Sequence, residues 1–224
     1  VRERQAPDAA RPVNEFLAPA RYLDSDHPAV AAFAREHARG ATDVERAVSL
    51  YYAVRDGVRY NPFLDFSRDS AFRGSACLEA GEGFCIGKAA LLAACARAAG
   101  IPARVGFADV KNHLTTPRLA ERMGTDLFVY HGFTELWLEG KWVKATPAFN
   151  LDLCRKFRVK PLEFDGRNDS IFHPFDADER RHMEYLRDRG SYADVPAAEI
   201  QRVFRAAYPG LYGLGRDAAK ETFA

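Results

Sequence analysis

A chain of 224 residues, 47% hydrophobic and 28% charged, is long enough for one sizeable core and too apolar for a disordered segment. Its 32 lysines and arginines almost cancel its 31 aspartates and glutamates, so the formal charge of +1 gives no ground for a nucleic-acid or anionic-membrane surface. Four cysteines (Cys77, Cys85, Cys95 and Cys154) are too few for a disulfide scaffold, and no Cys-x-x-Cys pair or Cys/His cluster has zinc spacing, so neither a metal nor a cofactor is expected.

Residues 1–27 carry Pro7, Pro12 and Pro19 and read as an extended N-terminal arm, without the apolar core of a secretory leader. Pro28 in a first turn and Gly40 beyond the last predict a short helix over residues 28–38. Thr42 followed by Glu45 is a capping-box pattern. The helix it opens places Val44, Ala47, Val48, Tyr51 and Val54 on one face and stops at Gly57. Residues 58–60 are a short strand, and residues 61–84, rich in Asp, Ser, Arg and Gly, read as a long functional loop leading to Cys85.

Residues 86–99 are apolar almost all round, which predicts a helix buried at the centre of the domain. The stretch is shorter than the roughly 20 residues of a membrane span and contains Lys88 and Arg97. Gly100 and Pro102 end it. Residues 103–110 form a strand, and 111–126 an insertion with little pattern. Residues 128–138 and 142–148 flank the turn Glu139, Gly140, Lys141 as a β-hairpin, with Trp137 and Trp142 facing each other. Residues 151–176 look irregular; 178–189 and 197–208 are helix candidates. The expectation is one α+β domain: an arm (1–27), a core (28–150) and a C-terminal extension (151–224) packed on it.

Cys85 stands at the head of the apolar helix and His131 at the head of the first hairpin strand. A thiol at a helix N-terminus meets unpaired N–H groups and the positive end of the helix dipole, which eases its ionisation. A histidine able to take its proton completes a nucleophilic pair. Pairing Leu138 with Lys141 would set Glu135 opposite Lys144, Phe133 opposite Thr146 and His131 opposite Ala148. Thr146 is then the diagonal neighbour of His131. Asn150 has the same parity beyond Pro147, and either could hold the imidazole tautomer. Cys95 and Cys154 read as small core hydrophobes, and Cys77 as a bystander or a second thiol. His27, His37 and His182 read as solvated, and His113 and His173 have no evident partner.

Four stretches in this order resemble the transglutaminase-like superfamily, the compact microbial relatives of transglutaminases and papain-like cysteine proteases. They are residues 54–60 (Val-Arg-Asp-Gly-Val-Arg-Tyr), Gly-Phe-Cys at 83–85 before a small-residue helix, Gly-Ile-Pro-Ala-Arg-Val at 100–105, and His131 followed by Glu-Leu-Trp-Leu-Glu-Gly-Lys-Trp-Val at 135–143. The resemblance implies a papain-like fold, with the nucleophile helix packed on an antiparallel sheet, and a Cys-His-Asp triad in which Cys85 is nucleophile and His131 base. The family's Trp-Val-x-x-Asp-Pro after the turn is here Trp142-Val143-Lys144-Ala145-Thr146-Pro147, so Thr146 stands where the aspartate is expected.

The expected function is therefore cysteine-nucleophile amide chemistry through a thioacyl intermediate, by a peptidase, amidohydrolase or acyltransferase. Its substrate would be a peptide, a protein or a small amide, in a reducing cytoplasmic setting that spares a free thiol. The alternatives are a weak or inactive domain kept for binding or scaffolding, and a zinc protein using Cys85, His131 and another cysteine. Phe164 and the segment 172–175 are candidates for a lid over the cleft.

Overall fold

The computed structural model describes residues 12–112, 117–171 and 183–210. After a 3-10 turn (Val13–Leu17), helix α1 (Pro28–His37) starts with His27 as its N-cap, whose ring Nδ1 accepts from the Ala29 N–H at 3.3 Å. His27 is thus a cap rather than only a solvated side chain. Helix α2 (Asp43–Gly57) begins with the complete capping box of Thr42 and Glu45 and leads into β1 (Arg59–Tyr60).

The stretch expected as a loop is more ordered than its composition suggests. It holds a 3-10 turn (Asp69–Phe72), helix α3 (Gly74–Ala80) and β2 (Glu82–Gly83), which runs parallel to β1. A two-turn helix shows too few residues for a periodicity, and packing supplies the missing signal. A Cβ on Gly74 would stand 3.2 Å from the Leu91 Cα, so this glycine lets α3 lie against the central helix.

That central helix, α4 (Cys85–Ala98), is buried from Cys85 through Arg97, as its all-round apolar sequence predicts. On it lies a four-stranded antiparallel sheet in the order β5-β4-β3-β6, formed by β3 (Ala103–Asn112), β4 (Leu127–Leu138), β5 (Lys141–Ala145) and β6 (Met183–Tyr192). Helix α5 (Pro117–Met123) occupies the insertion, α6 (Leu151–Phe157) follows the hairpin, and α7 (Ala197–Ala207) closes the described chain. The expected α+β fold, with a buried helix against an antiparallel sheet, is the fold observed.

Two expectations are corrected. Residues 183–189, read as part of a helix, are strand β6. Their alternating charges suit either structure, but the edge of β3 supplies a row of backbone partners, and tertiary pairing overrides a weak local preference. The rest of that candidate helix, residues 178–182, lies outside the described residues. The extension beyond 150 therefore contributes a strand to the central sheet. The hairpin has the expected register through Thr134–Ala145 but ends there. The Thr146 N–H turns to the Ser170 carbonyl at 2.9 Å, and Pro147 has no N–H to continue a ladder. The pairings of Phe133 with Thr146 and of His131 with Ala148 do not form. The Trp137 and Trp142 rings meet as expected, 5.3 Å apart.

Burying α4 buries its two cations. Lys88 is fully buried, and its ammonium donates to the carbonyls of Arg55 (2.8 Å) and Val58 (2.5 Å), at the C-terminal end of α2. Arg97 donates to the carbonyls of Ala18, Ala103 and Ala193. Desolvation pushes Lys88 down to about 7, so in the folded protein it is neutral well below the pH at which the unfolded chain releases the proton. The unfolded state then holds more protons between pH 7 and 10, and this group makes stability rise with pH across that window. In urea unfolding, the native protein should gain stability relative to Lys88→Met from pH 7 to pH 10; a constant difference would contradict a neutral buried lysine.

Candidate active site

Cys85 is the first residue of α4, packed against β4 at Gly132. A Cβ on Gly132 would lie 3.0 Å from the Ile86 Cα, a backbone atom with little room to yield. Only a glycine allows the helix to start this close to the strand. Because β5 has left β4 two residues earlier, that part of the β4 edge is not paired with β5. The Gly132 N–H is directed at the Cys85 sulfur, as are those of Ile86 and Cys85 itself. The residue before Gly132 is His131, which is 3% exposed, while Cys85 is 6% exposed.

Cys85 and His131 together form part of the wall of one cavity of about 40 Å³. The other walls come from Tyr60 and Pro62 after β1, Phe66, Phe84, Leu119 and Met123 of α5, Phe128 and Val129 of β4, and Phe204 and Tyr208 at the end of α7. Of the four predicted site residues, the structure brings Cys85 and His131 to this cavity, and Thr146 and Asn150 are not among its lining residues. Asn150 stands at the N-cap position of α6, but its side chain does not cap that helix; its amide oxygen accepts from the Tyr60 N–H at 3.1 Å, so it braces a cavity wall. Thr146 is 3% exposed, its carbonyl accepts from the Tyr51 hydroxyl at 3.2 Å, and its own hydroxyl is buried with no hydrogen-bond partner among the described residues.

The expected ease of ionisation of Cys85 is overturned. Burial pushes its thiol up to about 11, and the hydrogen bonds from the Gly132, Ile86 and Cys85 N–H groups recover only part of that rise. A helix N-terminus favours a thiolate, but removing the anion from water outweighs three backbone dipoles. Burial likewise raises the other thiols, Cys77 to about 12 and Cys154 to about 11, with Cys95 higher still. All four cysteines are buried and free. Cys77 packs against Gly83 and Gly87, away from the cavity lining. Among the described residues, no group of three or more His, Cys, Asp or Glu side chains is placed to hold a metal ion. Nor is any described helix long and apolar enough to cross a membrane.

The segment entering His131 is held by a network that the sequence pattern did not suggest. Two residues of β4, Val129 and Tyr130, lie across from one residue of β3, Asp109, which makes a β-bulge. Tyr130 takes a left-handed φ of 54°, which for a residue with a Cβ costs about 1–2 kcal/mol. Its N–H is capped by the Asp109 carboxylate at 3.1 Å. Arg189 of β6 grips that carboxylate with Nε and Nη2, at 2.9 and 2.7 Å, and lies over the Tyr130 ring. The Tyr130 hydroxyl donates to Glu199 of α7 at 2.7 Å. Phe164, a lid candidate, packs on Tyr51 instead, and residues 172–175 lie outside the described residues, as do His113, His173 and His182.

The sequence profile of the transglutaminase-like superfamily matches residues 31–147, more than half of the chain, and this match runs from within α1 past the end of β5 and contains α4, β4, Cys85 and His131. The chain belongs to the transglutaminase-like superfamily. No curated protein matches it in sequence. Solved structures similar to this superfamily member include a candidate cysteine protease from Cytophaga hutchinsonii, 18% identical over 80% of this chain and 54% of that one, with a TM-score of 0.47. A candidate protease from Parabacteroides distasonis is 16% identical over 60% of this chain and 25% of the other, with a TM-score of 0.38. A transglutaminase is 18% identical over 62% and 34%, with a TM-score of 0.36. The chain thus spans about half the length of the first of these.

Gly132→Ala should lower the unfolding free energy by about 1–3 kcal/mol, because the added methyl meets backbone rather than a side chain that can swing away. Urea denaturation measures it, and a variant as stable as the native chain would show that α4 and β4 are not in tight contact.

Proposed function

We propose that this transglutaminase-like chain carries out cysteine-dependent acyl chemistry on amide or ester carbonyls, with Cys85 as nucleophile and His131 as general base. One observation supports this reading above the others: the thiol and the imidazole wall the same cavity, with the sulfur held by the N–H of the residue next to the histidine. The sulfhydryl proton passes to His131 as sulfur attacks the carbonyl carbon. In this reading the backbone N–H of Cys85 helps bind the developing oxyanion. The imidazolium then protonates the leaving group, and water or an amine resolves the thioester, which separates a peptidase or amidohydrolase from an acyltransferase.

A thiol held near 11 is protonated at neutral pH, so this reading has no standing thiolate–imidazolium pair. Proton transfer accompanies attack. Thr146 stands at the family's aspartate position with its hydroxyl buried, and Asn150 has committed its amide oxygen to Tyr60. In this reading residue 146 supplies no carboxylate to the imidazolium, and its hydroxyl makes no hydrogen bond among the described residues, which makes for a slow enzyme. A second reading, a domain kept for binding, draws on two facts: the threonine at the family's aspartate position and the buried thiol.

Alkylation by iodoacetamide at pH 7, mapped by mass spectrometry, separates the two. Catalysis requires Cys85 to react ahead of the other three cysteines, and His131→Ala to abolish that preference. The rate in that variant should climb about tenfold per pH unit towards pH 11, as a lone buried thiol ionises. Four equally sluggish thiols in the native chain would leave the binding module. Thr146→Asp should raise the Cys85 alkylation rate at pH 7 at least about tenfold by placing a carboxylate at the family's aspartate position.

A further inference from the structure

The cavity beside Cys85 is lined by aromatic rings that support one another. Phe66 lies 4.8 Å from Phe84 and 5.3 Å from Phe204, and Phe84 lies 6.4 Å from Phe204. Leu119 and Met123 add aliphatic surface. Among the described residues, no Asp, Glu, Lys or Arg lines it. The Tyr208 hydroxyl is already engaged, donating to the Leu127 carbonyl at 2.9 Å and accepting from the Val129 N–H at 2.6 Å. A charged acyl group entering here would lose water and meet no Asp, Glu, Lys or Arg among the described lining residues to replace it. Size is limited as well. A water-sized site takes about 10–15 Å³ on the same measure, so about 40 Å³ seats roughly three such sites, room for a few heavy atoms against the apolar wall.

Resting on the catalytic reading above, we propose that the acyl donor is a small molecule with a short, uncharged, apolar acyl chain of acetyl to butyryl size that ends inside this cavity, rather than a peptidyl group. Sulfur bonds to the carbonyl carbon, the bond from that carbon to the leaving oxygen or nitrogen breaks, and the sulfhydryl proton leaves with that atom by way of His131. Water then releases the short carboxylic acid and restores the thiol, so atoms and electrons balance without a further reactant. Chain length is discriminated by the aromatic wall, because methylenes beyond the cavity must displace packed rings.

Two measurements test this. In the first, native protein is mixed with the 4-nitrophenyl esters of acetate, butyrate, decanoate and glutarate (the last a half-ester that keeps a free carboxylate). Nitrophenolate release and the mass of the Cys85 adduct are followed, with each rate divided by that ester's spontaneous hydrolysis. Acetate and butyrate should acylate Cys85 at least about tenfold faster than decanoate or hemiglutarate. Phe204→Ala should bring decanoate to within about threefold of butyrate. Met123→Ala tests the same wall if the first variant does not fold. Equal rates across the series, or hemiglutarate as the fastest ester, would overturn the proposal while leaving the catalytic reading intact. The second measurement is calorimetry on Cys85→Ala with butyramide and with succinamate. Binding of butyramide alone supports the assignment even if the native thiol proves inert, in which case only the catalytic reading falls. Binding of neither, or of succinamate preferentially, overturns it.

Discussion

The N-terminus of α4 reaches β4 because residue 132 has no side chain. At 3.0 Å from the Ile86 Cα, the space that a Cβ would need belongs to helix backbone, so helix and strand touch through main chain. This contact fixes the distance from which a sulfur on residue 85 can meet the N–H of residue 132, and it sets His131 at the next position along the strand. The departure of β5 at Ala145 is the complementary condition, since a longer hairpin would cover the strand edge that the thiol uses. Proline at 147, unable to donate, is consistent with that early end.

A helix surrounded on every side has no solvated face for its charged residues, and α4 resolves this with carbonyl groups. The Lys88 Nζ donates to the last carbonyls of α2, and Arg97 joins the N-terminal segment at Ala18 to β3 and to the link between β6 and α7. Charge-assisted hydrogen bonds offset the loss of water. Both cations still fall below their ordinary pKa, Arg97 to about 10, because burial remains the largest influence on each. These residues tie distant parts of the chain to the helix that carries the cysteine.

The same burial governs the site. Water is largely excluded from the thiol, which strengthens every dipole aimed at the sulfur and at the same time penalises its anion more than those dipoles repay. Next to it, a left-handed tyrosine is held by the Asp109–Arg189 pair and by Glu199, so strands β3 and β6 and helix α7 all determine where the backbone enters His131. An apolar, closely packed surround of this kind suits chemistry in which charge develops briefly and is shared with a neighbouring base.

Local patterns in the chain were sufficient for several elements. The capping box at Thr42 and Glu45, the all-round apolar run of α4 and the hairpin around Gly140 each follow from contacts within a few residues, where composition and spacing act directly. The residues that share the cavity were legible in part: Cys85 from its place before an apolar helix, and His131 from its place at the head of a strand. Strand β6, read as helix, was not, because mixed charges carry little local preference and the edge of β3 decides. The short helices α3, α5 and α6 escaped for want of length. By itself, then, the sequence determined the buried helix, the hairpin and which thiol and imidazole were candidates, all properties of near neighbours. Only the tertiary structure decided that the thiol would be buried and hard to ionise, that Asp109 and Arg189 would brace the histidine's strand, and that α5 and α7 would line the cavity. Desolvation and long-range packing depend on what the folded chain brings alongside each group, and no local pattern carries that information.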